Sequence, residues 1–451
     1  MTDRPNILYF FTDQQFAGAM SCAGNADLCT PAADSLAALG VRFDRAYCTA
    51  PLCSPSRSSM FTGLMPHEAG APRNRMGIGE HLRSREMGLL LSNGGYECAY
   101  AGKWHLPGGT ITDDHGFQRI APSGDGGLAE ACQAFLARRH DRPFLLVVST
   151  VNPHNICEWA RCQRLPAGSI SEPDRVEDCP NLPANFAIPA YEPEAIRIEQ
   201  AWEQEKYPVV SNSQDDWRRY RFAYYRLVEK ADAILGRILQ ALRDGGLEEQ
   251  TVVIFSSDHG DGHGAHRWNQ KSALYEEEVR VPLIVSFKGR MARGRVDGRL
   301  VSNGLDLLPM VCDYAGVEPP EGLRGSSLRP LAEGREPAQW RDQLACETVF
   351  DGERGYQTQG RALRTARHKY IVYHWGKNRE QLFDMEADGG EMVNLAVETR
   401  YRDVLDDHRR RLAAWCRQSG DAFRVPGVEG GGQGPKAEGS IRRLAGEAGQ
   451  G

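Results

Sequence analysis

The sequence predicts an α/β protein built on a central, mostly parallel sheet flanked by helices, with a smaller α+β region near its C-terminal end. Three observations carry this expectation. Short, near-continuous apolar runs at residues 6–11, 144–149 and 251–255 read as strands buried on both faces, as strands of a parallel sheet are. Segments of helical apolar spacing lie between such runs, the alternation that a parallel sheet with covering helices needs. Polar clusters follow the runs directly: Thr12-Asp13-Gln14, Asn152-Pro153-His154, and Ser256-Ser257-Asp258-His259-Gly260. Open α/β sheets place their sites just past the C-terminal ends of strands.

Taken in order, the first run is followed by a helix that Thr30 caps, with Pro31 at its first position and Gly40 as its stop. Residues 41–47 lead into a Ser- and Pro-rich stretch. Asn93-Gly94-Gly95 turns into a strand at 96–100. Residues 155–213 are rich in Pro and Glu with little periodicity, so they read as an irregular insertion that shapes binding. Trp217, Tyr220, Tyr224, Leu227, Val228, Ala231, Leu235, Ile238 and Leu242 fall at helical spacing, and Gly245-Gly246 closes this strongest amphipathic helix. Residues 281–287 are a further strand. After about Arg335 the character changes: 360–369 and 370–375 read as a hairpin, 381–384 as a strand and 401–416 as a helix. The expected organisation is therefore a catalytic domain over 1–340, an α+β subdomain over 341–425 and a Gly-rich disordered tail over 426–451.

The 451 residues carry a net charge of −6, which argues against general nucleic-acid binding. No apolar run reaches membrane-spanning length, and the first residues lack the pattern of a secretion signal, so a cytoplasmic protein is expected. The twelve cysteines are scattered rather than arrayed, as free thiols in a reducing compartment are. Cys157, Cys162 and Cys179 cluster, but no neighbour completes a zinc pattern.

The chemistry concentrates at Pro51-Leu52-Cys53-Ser54-Pro55-Ser56-Arg57-Ser58-Ser59-Met60-Phe61-Thr62-Gly63. Proline fixes φ and makes the turn rigid. Arginine keeps its charge and reads tetrahedral oxyanions with a planar fork. Helical spacing from Pro55 onward puts Cys53 at a helix N-terminus, where free N–H groups favour anions. Asp13, Gln14, Asp258 and His259, from distant parts of the chain, can converge on one cation. Mostly oxygen donors suit Ca²⁺ or Mg²⁺, and the imidazole admits Mn²⁺.

Cys53-x-Pro55-Ser56-Arg57 followed by Thr62-Gly63 resembles the signature of the type I sulfatases, within the alkaline phosphatase superfamily. Gly95-Tyr96 followed by Gly102-Lys103-Trp104-His105 resembles the second sulfatase signature, with Cys98 where Ser or Thr is usual. The resemblance implies an alkaline-phosphatase-like fold and a sulfuric ester hydrolase acting on a small sulfated sugar or aryl ester. It implies that a maturation enzyme oxidises Cys53 to formylglycine, whose hydrated aldehyde is the nucleophile. It puts Asp13, Gln14, Asp258, His259 and modified Cys53 around one divalent cation, Ca²⁺ in the first instance. Arg57 and Lys103 then neutralise the sulfate, and His105 deprotonates the covalent intermediate. His154 and Lys271 face the leaving-group oxygen; Lys271 is followed by the family pattern Tyr275-Glu276-Glu277 and Arg280-Val281-Pro282. Asn74 is a further substrate contact. His263 and His266, in a Gly-rich loop beside the expected pocket, read as solvated loop residues. Gln14 and His259 depart from the Asp and Asn of many sulfatases and resemble choline sulfatases and phosphonate monoester hydrolases. They leave a phosphonate monoester or phosphodiester hydrolase as the alternative, and a non-catalytic binding homologue as a third reading.

Overall fold

The computed structural model describes residues 4–107, 111, 114–209, 211–350 and 358–428. The expected mixed α/β architecture is present. Eight strands form one sheet: β1 (Asn6–Asp13), β2 (Val41–Tyr47), β3 (Glu97–Gly102), β4 (Gln118–Ala121), β5 (Phe144–Pro153), β6 (Thr251–Ser257), β7 (Leu283–Ser286) and β8 (Arg295–Ser302). Their spatial order is β4-β3-β5-β1-β6-β7-β2-β8. β1 is central and parallel to both β5 and β6, while β7 alone runs antiparallel to its neighbours β6 and β2. Because β3, β5, β1 and β6 are mutually parallel, their C-terminal ends share one edge of the sheet.

The helices that matter for the site are α1 (Pro31–Leu39), α2 (Cys53–Thr62), α3 (Leu128–Leu136), α4 (Glu194–Lys206), α5 (Gln214–Asp244), α6 (Leu307–Ala315) and α7 (Arg402–Ser419). On one face of the sheet, Met60 and Phe61 of α2 pack with Leu307 and Leu308 of α6 against Ile7, Tyr9 and Val147. On the other, Leu36 of α1, Leu128 of α3 and Leu235 of α5 cover Leu8, Phe10 and Val148. Alternate residues of β1 thus enter opposite cores, as the strand period demands. The N-terminal half of α5 leaves the sheet, and its Trp217, Tyr220 and Tyr224 bury a third cluster with Ile156 and Ala160 of the 155–213 segment.

A second, four-stranded antiparallel sheet has the order β12-β11-β10-β9. It comprises β9 (Gln343–Val349), β10 (Gln359–Thr365), β11 (His368–Tyr373) and β12 (Glu380–Asp384). One face meets the large sheet's edge through Tyr47, Tyr275, Ile371 and Tyr373, and the other carries Leu405 and Leu412 of α7.

Several local expectations are corrected. Thr30 stands at the N-cap position of α1, but its side chain makes no cap bond there. Its hydroxyl bonds Ser21, and Asp232 of α5 takes the free N–H groups of Ala32 and Ala33 at 3.0 and 2.9 Å. The hairpin turns at Ala366-Arg367, earlier than expected, because the Thr365 hydroxyl bonds both the N–H and the carbonyl of His368. The 155–213 segment is not wholly irregular: it holds α4, which buries Ala195, Ile196, Glu199 and Gln200. With two polar residues on that buried face, the apolar period that identifies helices is missing. β4, β8, β9 and α6 also escape a reading by apolar runs. Of the Gly-rich tail, Pro426–Val428 are described and Val428 packs on the C-terminal core; residues 429–451 lie outside the described residues. Among the described residues all twelve cysteines are free, no metal-binding group contains Cys157, Cys162 or Cys179, and no helix is long and apolar enough to cross a membrane.

Candidate active site

The C-terminal ends of β1 and β6 deliver Asp13 and Asp258 side by side, since Thr12 pairs with Ser257 in the ladder. α2 then brings Cys53 to the same point. Every residue of α2 is buried, so the helix is fixed by packing along its whole length. Its first turn is held from three sides. Ser56 Oγ donates to the Asp258 carbonyl, Ser54 Oγ donates to the His105 carbonyl at 2.7 Å, and Ser54 N donates to Asn74 Oδ1 at 3.1 Å.

Arg57, fully buried, ties the two carboxylates together. Its Nη2 donates to Asp13 Oδ2 and its Nε to Asp258 Oδ2, each at 2.8 Å, while Nη1 reaches the Lys103 carbonyl at 2.7 Å and Ser149 Oγ at 3.0 Å. Lys103 Nζ sits 2.6 Å from Asp13 Oδ2. Lys271 Nζ donates to Gln14 Oε1 at 2.8 Å and to Cys53 Sγ at 3.3 Å. His259 Nδ1 faces its neighbour's carbonyl, Gly260 O, at 2.8 Å, which makes Nδ1 the protonated nitrogen and turns the Nε2 lone pair toward Cys53 Sγ at 3.2 Å.

One donor atom each from Asp13, Cys53, Asp258 and His259 lies within 4.8 Å of the others, and all four residues are buried. This donor set fits a divalent cation. Burial pushes the Asp258 carboxyl up, as does the Asp13 charge facing the same centre. A cation between the two carboxylates would remove that repulsion, and the pinned His259 tautomer presents a lone pair rather than a proton. Burial also acts to raise Asp13, but the charges of Lys103, Arg57 and Lys271 outweigh it and hold that carboxyl well below its usual range. At Cys53, burial and Asp13 push the thiol up, yet the Lys271 and Lys103 charges prevail and hold it well below the ordinary thiol value. The cluster is therefore a strong anion site centred on residue 53.

Asp13, Gln14, Cys53, Arg57, Lys103, Asp258, His259 and Lys271 meet in one contact set. His154 lies beside them and lines a cavity of about 480 Å³ with Lys103, Asp125 and Glu158. Burial, with Lys103 and Lys271 nearby, lowers its pKa well below the usual value and keeps the imidazole neutral. His105 is exposed, and its backbone carbonyl joins the cluster through Ser54. Asn74 acts on the N-terminus of α2, with its Oδ1 already engaged there. His263 and His266 are buried, contrary to expectation. The His263 ring lies 3.9 Å from that of Phe16 and its Nδ1 is 2.6 Å from Arg221 Nη1, while His266 stacks on Tyr275 with ring centroids 3.9 Å apart.

Other residues of the site were not read from the sequence. Asp261 Oδ2 accepts from Gln14 Nε2 at 2.7 Å, and Gln270 Oε1 takes the same group at 3.2 Å, so the Gln14 amide oxygen is turned to Lys271. Tyr224 OH donates to the Gln14 carbonyl at 2.7 Å. Gln14 itself is left-handed at φ +73°, a strained setting for a non-glycine residue at a functional turn. Proximity of Asp261 to Asp258-His259 and of Gln270 to Lys271 is the only signal the chain offers for these supports.

Fold and site together define an alkaline-phosphatase-like α/β hydrolase with an anion site at the sheet's C-terminal edge. A family model described as Sulfatase matches residues 5–317, and one described as N-sulphoglucosamine sulphohydrolase, C-terminal, matches residues 264–418. The chain is 30% identical over 456 residues to a Delta 4,5-hexuronate-2-O-sulfatase of Bacteroides thetaiotaomicron, covering 94% of this chain and 91% of the relative. It is 25% identical to an arylsulfatase of Clostridium perfringens, covering 91% and 94% of the two chains. Among solved structures, a 2-O GAG sulfatase superposes with a TM-score of 0.82 at 28% identity, over 93% of each chain. A phosphonate monoester hydrolase of Agrobacterium radiobacter superposes with a TM-score of 0.75 at 22% identity, over 92% of this chain and 96% of its own, a likeness of fold alone. The chain belongs to the sulfatase family and is a sulfuric ester hydrolase. This favours the sulfate ester reading over the phosphonate or phosphodiester alternative.

Proposed function

We propose that this sulfatase hydrolyses the sulfate ester of a small sugar, using formylglycine made from Cys53 and one divalent cation, Ca²⁺ in the first instance. The observation that carries the reading is the convergence of three cations, two carboxylates and an imidazole on residue 53. Sugar sulfates are favoured because the relatives at 30% and 26% identity are named for hexuronate and N-acetylglucosamine sulfates. Asp13, Gln14, Asp258 and His259, with residue 53, would hold the cation, which supplies Lewis acidity toward sulfate oxygen and the nucleophile. Formylglycine supplies a hydrated aldehyde with two hydroxyls on one carbon, one to attack sulfur and one to drive out sulfate afterwards.

The chain's own residues then have distinct tasks. Arg57 holds the two carboxylates in place through its fork, and its charge offsets theirs. Lys103 and Lys271 present ammonium groups to the sulfate oxygens, and Lys271 is aimed by Gln14 and, through it, Asp261. His154 is neutral and offers an N–H to the departing sugar oxygen, next to the Lys271 charge. His105 takes the proton of the second hydroxyl. We further propose that residues 1–340 form the catalytic unit, with 341–425 as a C-terminal subdomain.

Cys53→Ser tests the nucleophile. A serine has one hydroxyl and no aldehyde hydrate, so turnover of sulfate esters is expected to vanish while the far-UV spectrum and unfolding midpoint stay native. Full activity in that variant, or only unmodified thiol in the Cys53 peptide of the active enzyme by mass spectrometry, would refute the reading.

A further inference from the structure

We propose that Arg73 and Arg75 form a subsite for a second anionic group of the substrate, a sugar carboxylate or a further sulfate. This rests on the sugar-sulfatase reading and specifies the substrate class. The Asn74 side chain between them is locked onto α2, 3.1 Å from the N–H of Ser54, the residue after Cys53. Consecutive Cα atoms are about 3.8 Å apart, so each arginine begins one residue from a group that touches the nucleophile's helix turn.

Three features single them out. Neither guanidinium hydrogen-bonds or pairs with a described residue, although the chain has 60 acidic residues against 54 basic ones. Arg75 is exposed and left-handed at φ +66°, a setting glycine takes without strain, so the backbone is not what calls for arginine there. Finally, the cations around Cys53 are already assigned, Lys103 and Lys271 to the reacting sulfate and Arg57 to the two carboxylates. Arg57 spends Nε, Nη1 and Nη2 on Asp258, Ser149 and Asp13, Lys103 is on Asp13, and Lys271 is on Gln14 and Cys53. A second anion on the sugar must find its partner outside that cluster, and a free planar fork suits carboxylate and sulfate alike.

The experiment uses full-length enzyme with formylglycine verified by mass. kcat and KM are measured on methyl glycosides of hexoses monosulfated at O2, O3 or O4, on the hexuronates differing only by the C5 carboxylate, and on the disulfated hexoses. 4-Nitrophenyl sulfate is included as a mono-anionic probe. Wild type is expected to prefer a dianionic sugar over its mono-anionic counterpart by about tenfold or more, mainly through KM. The uronate and disulfate arms identify which anion is read. Arg73→Gln, Arg75→Gln and the double variant should bring that ratio toward one, and Arg75→Lys should retain part of it. Arg75→Gly should lose the preference while its unfolding midpoint stays at or above wild type, which separates charge from backbone strain. Equal losses on both members of a pair, or no wild-type preference while sulfate esters are still cleaved, overturn the subsite alone. Failure to cleave any sulfate ester overturns the sulfatase reading, and the subsite with it.

Discussion

At Arg57 a single side chain decides whether the centre can exist. Two buried carboxylates facing each other repel, and each of them is 2.8 Å from a different nitrogen of this guanidinium. Lysine keeps the charge but offers one point where arginine offers a fork. Arg57→Lys is therefore expected to lower kcat/KM by at least about a hundredfold and to cost about 3 kcal/mol of stability, because one carboxylate is left buried without its partner. Steady-state kinetics and urea unfolding read the two effects. A variant with wild-type stability would show that Asp13 and Asp258 do not depend on this bridge. Gln14 illustrates the same scale differently. Its amide would serve a cation through Oε1, and what orients it is Asp261 on the opposite side of the amide, at 2.7 Å.

Between elements, α1 and α5 show how caps can be lent. The Thr30-Pro31 start is legible locally, but the Thr30 hydroxyl goes to Ser21, and the cap comes from Asp232, about two hundred residues on, bonding two N–H groups. Asp232→Ala should cost about 1–2 kcal/mol, as loss of an N-cap does, with no effect on the chemistry of residue 53. Differential scanning calorimetry with kinetics on the same sample checks it, and an unchanged melting temperature would return the cap to local groups. α4 makes the complementary point: a helix whose buried face includes Glu199 and Gln200 has tertiary partners but no sequence period.

Across the whole molecule, the two sheets are latched by His67, in the short helix Pro66–Ala69 that follows α2. Its Nδ1 is 2.6 Å from Glu347 on β9, and its Nε2 is 3.2 Å from the carbonyl of Ser419 at the end of α7. Both partners are acceptors, so the bound ring carries two protons. Burial acts to lower its pKa, but the hydrogen bond and charge of Glu347 outweigh this and raise it. The sign follows: the latch is at full strength below the unfolded histidine value, about 6.5, and is lost as pH rises through the higher folded value. His67→Gln should cost about 2 kcal/mol at pH 6, the worth of a charge-assisted hydrogen bond, and clearly less at pH 9. Urea unfolding at both pH values measures it; the same penalty at both would mean that the ring never carries the second proton.

The sequence by itself determined what is local. Apolar runs revealed β1, β5 and β6 because burial on both faces removes polar residues from a strand. The motif at residues 51–63 revealed the helix start at Cys53 and the family, because its chemistry needs those residue types at that spacing. The order of polar clusters along the chain pointed to Asp13, Asp258 and His259, since each lies at or just past the C-terminal end of a strand. Tertiary structure alone decided what depends on distant partners: which nitrogen of Arg57 meets which carboxylate, which face of Gln14 sees Lys271, and that His263 and His266 are buried rings rather than solvated loop. It also showed that Asn74 Oδ1 anchors the first turn of α2, and that Arg73 and Arg75 on either side of it have no side-chain partner among the described residues. These outcomes rest on hydrogen bonds and charges between residues some twenty to more than two hundred positions apart, and no local pattern encodes such pairs.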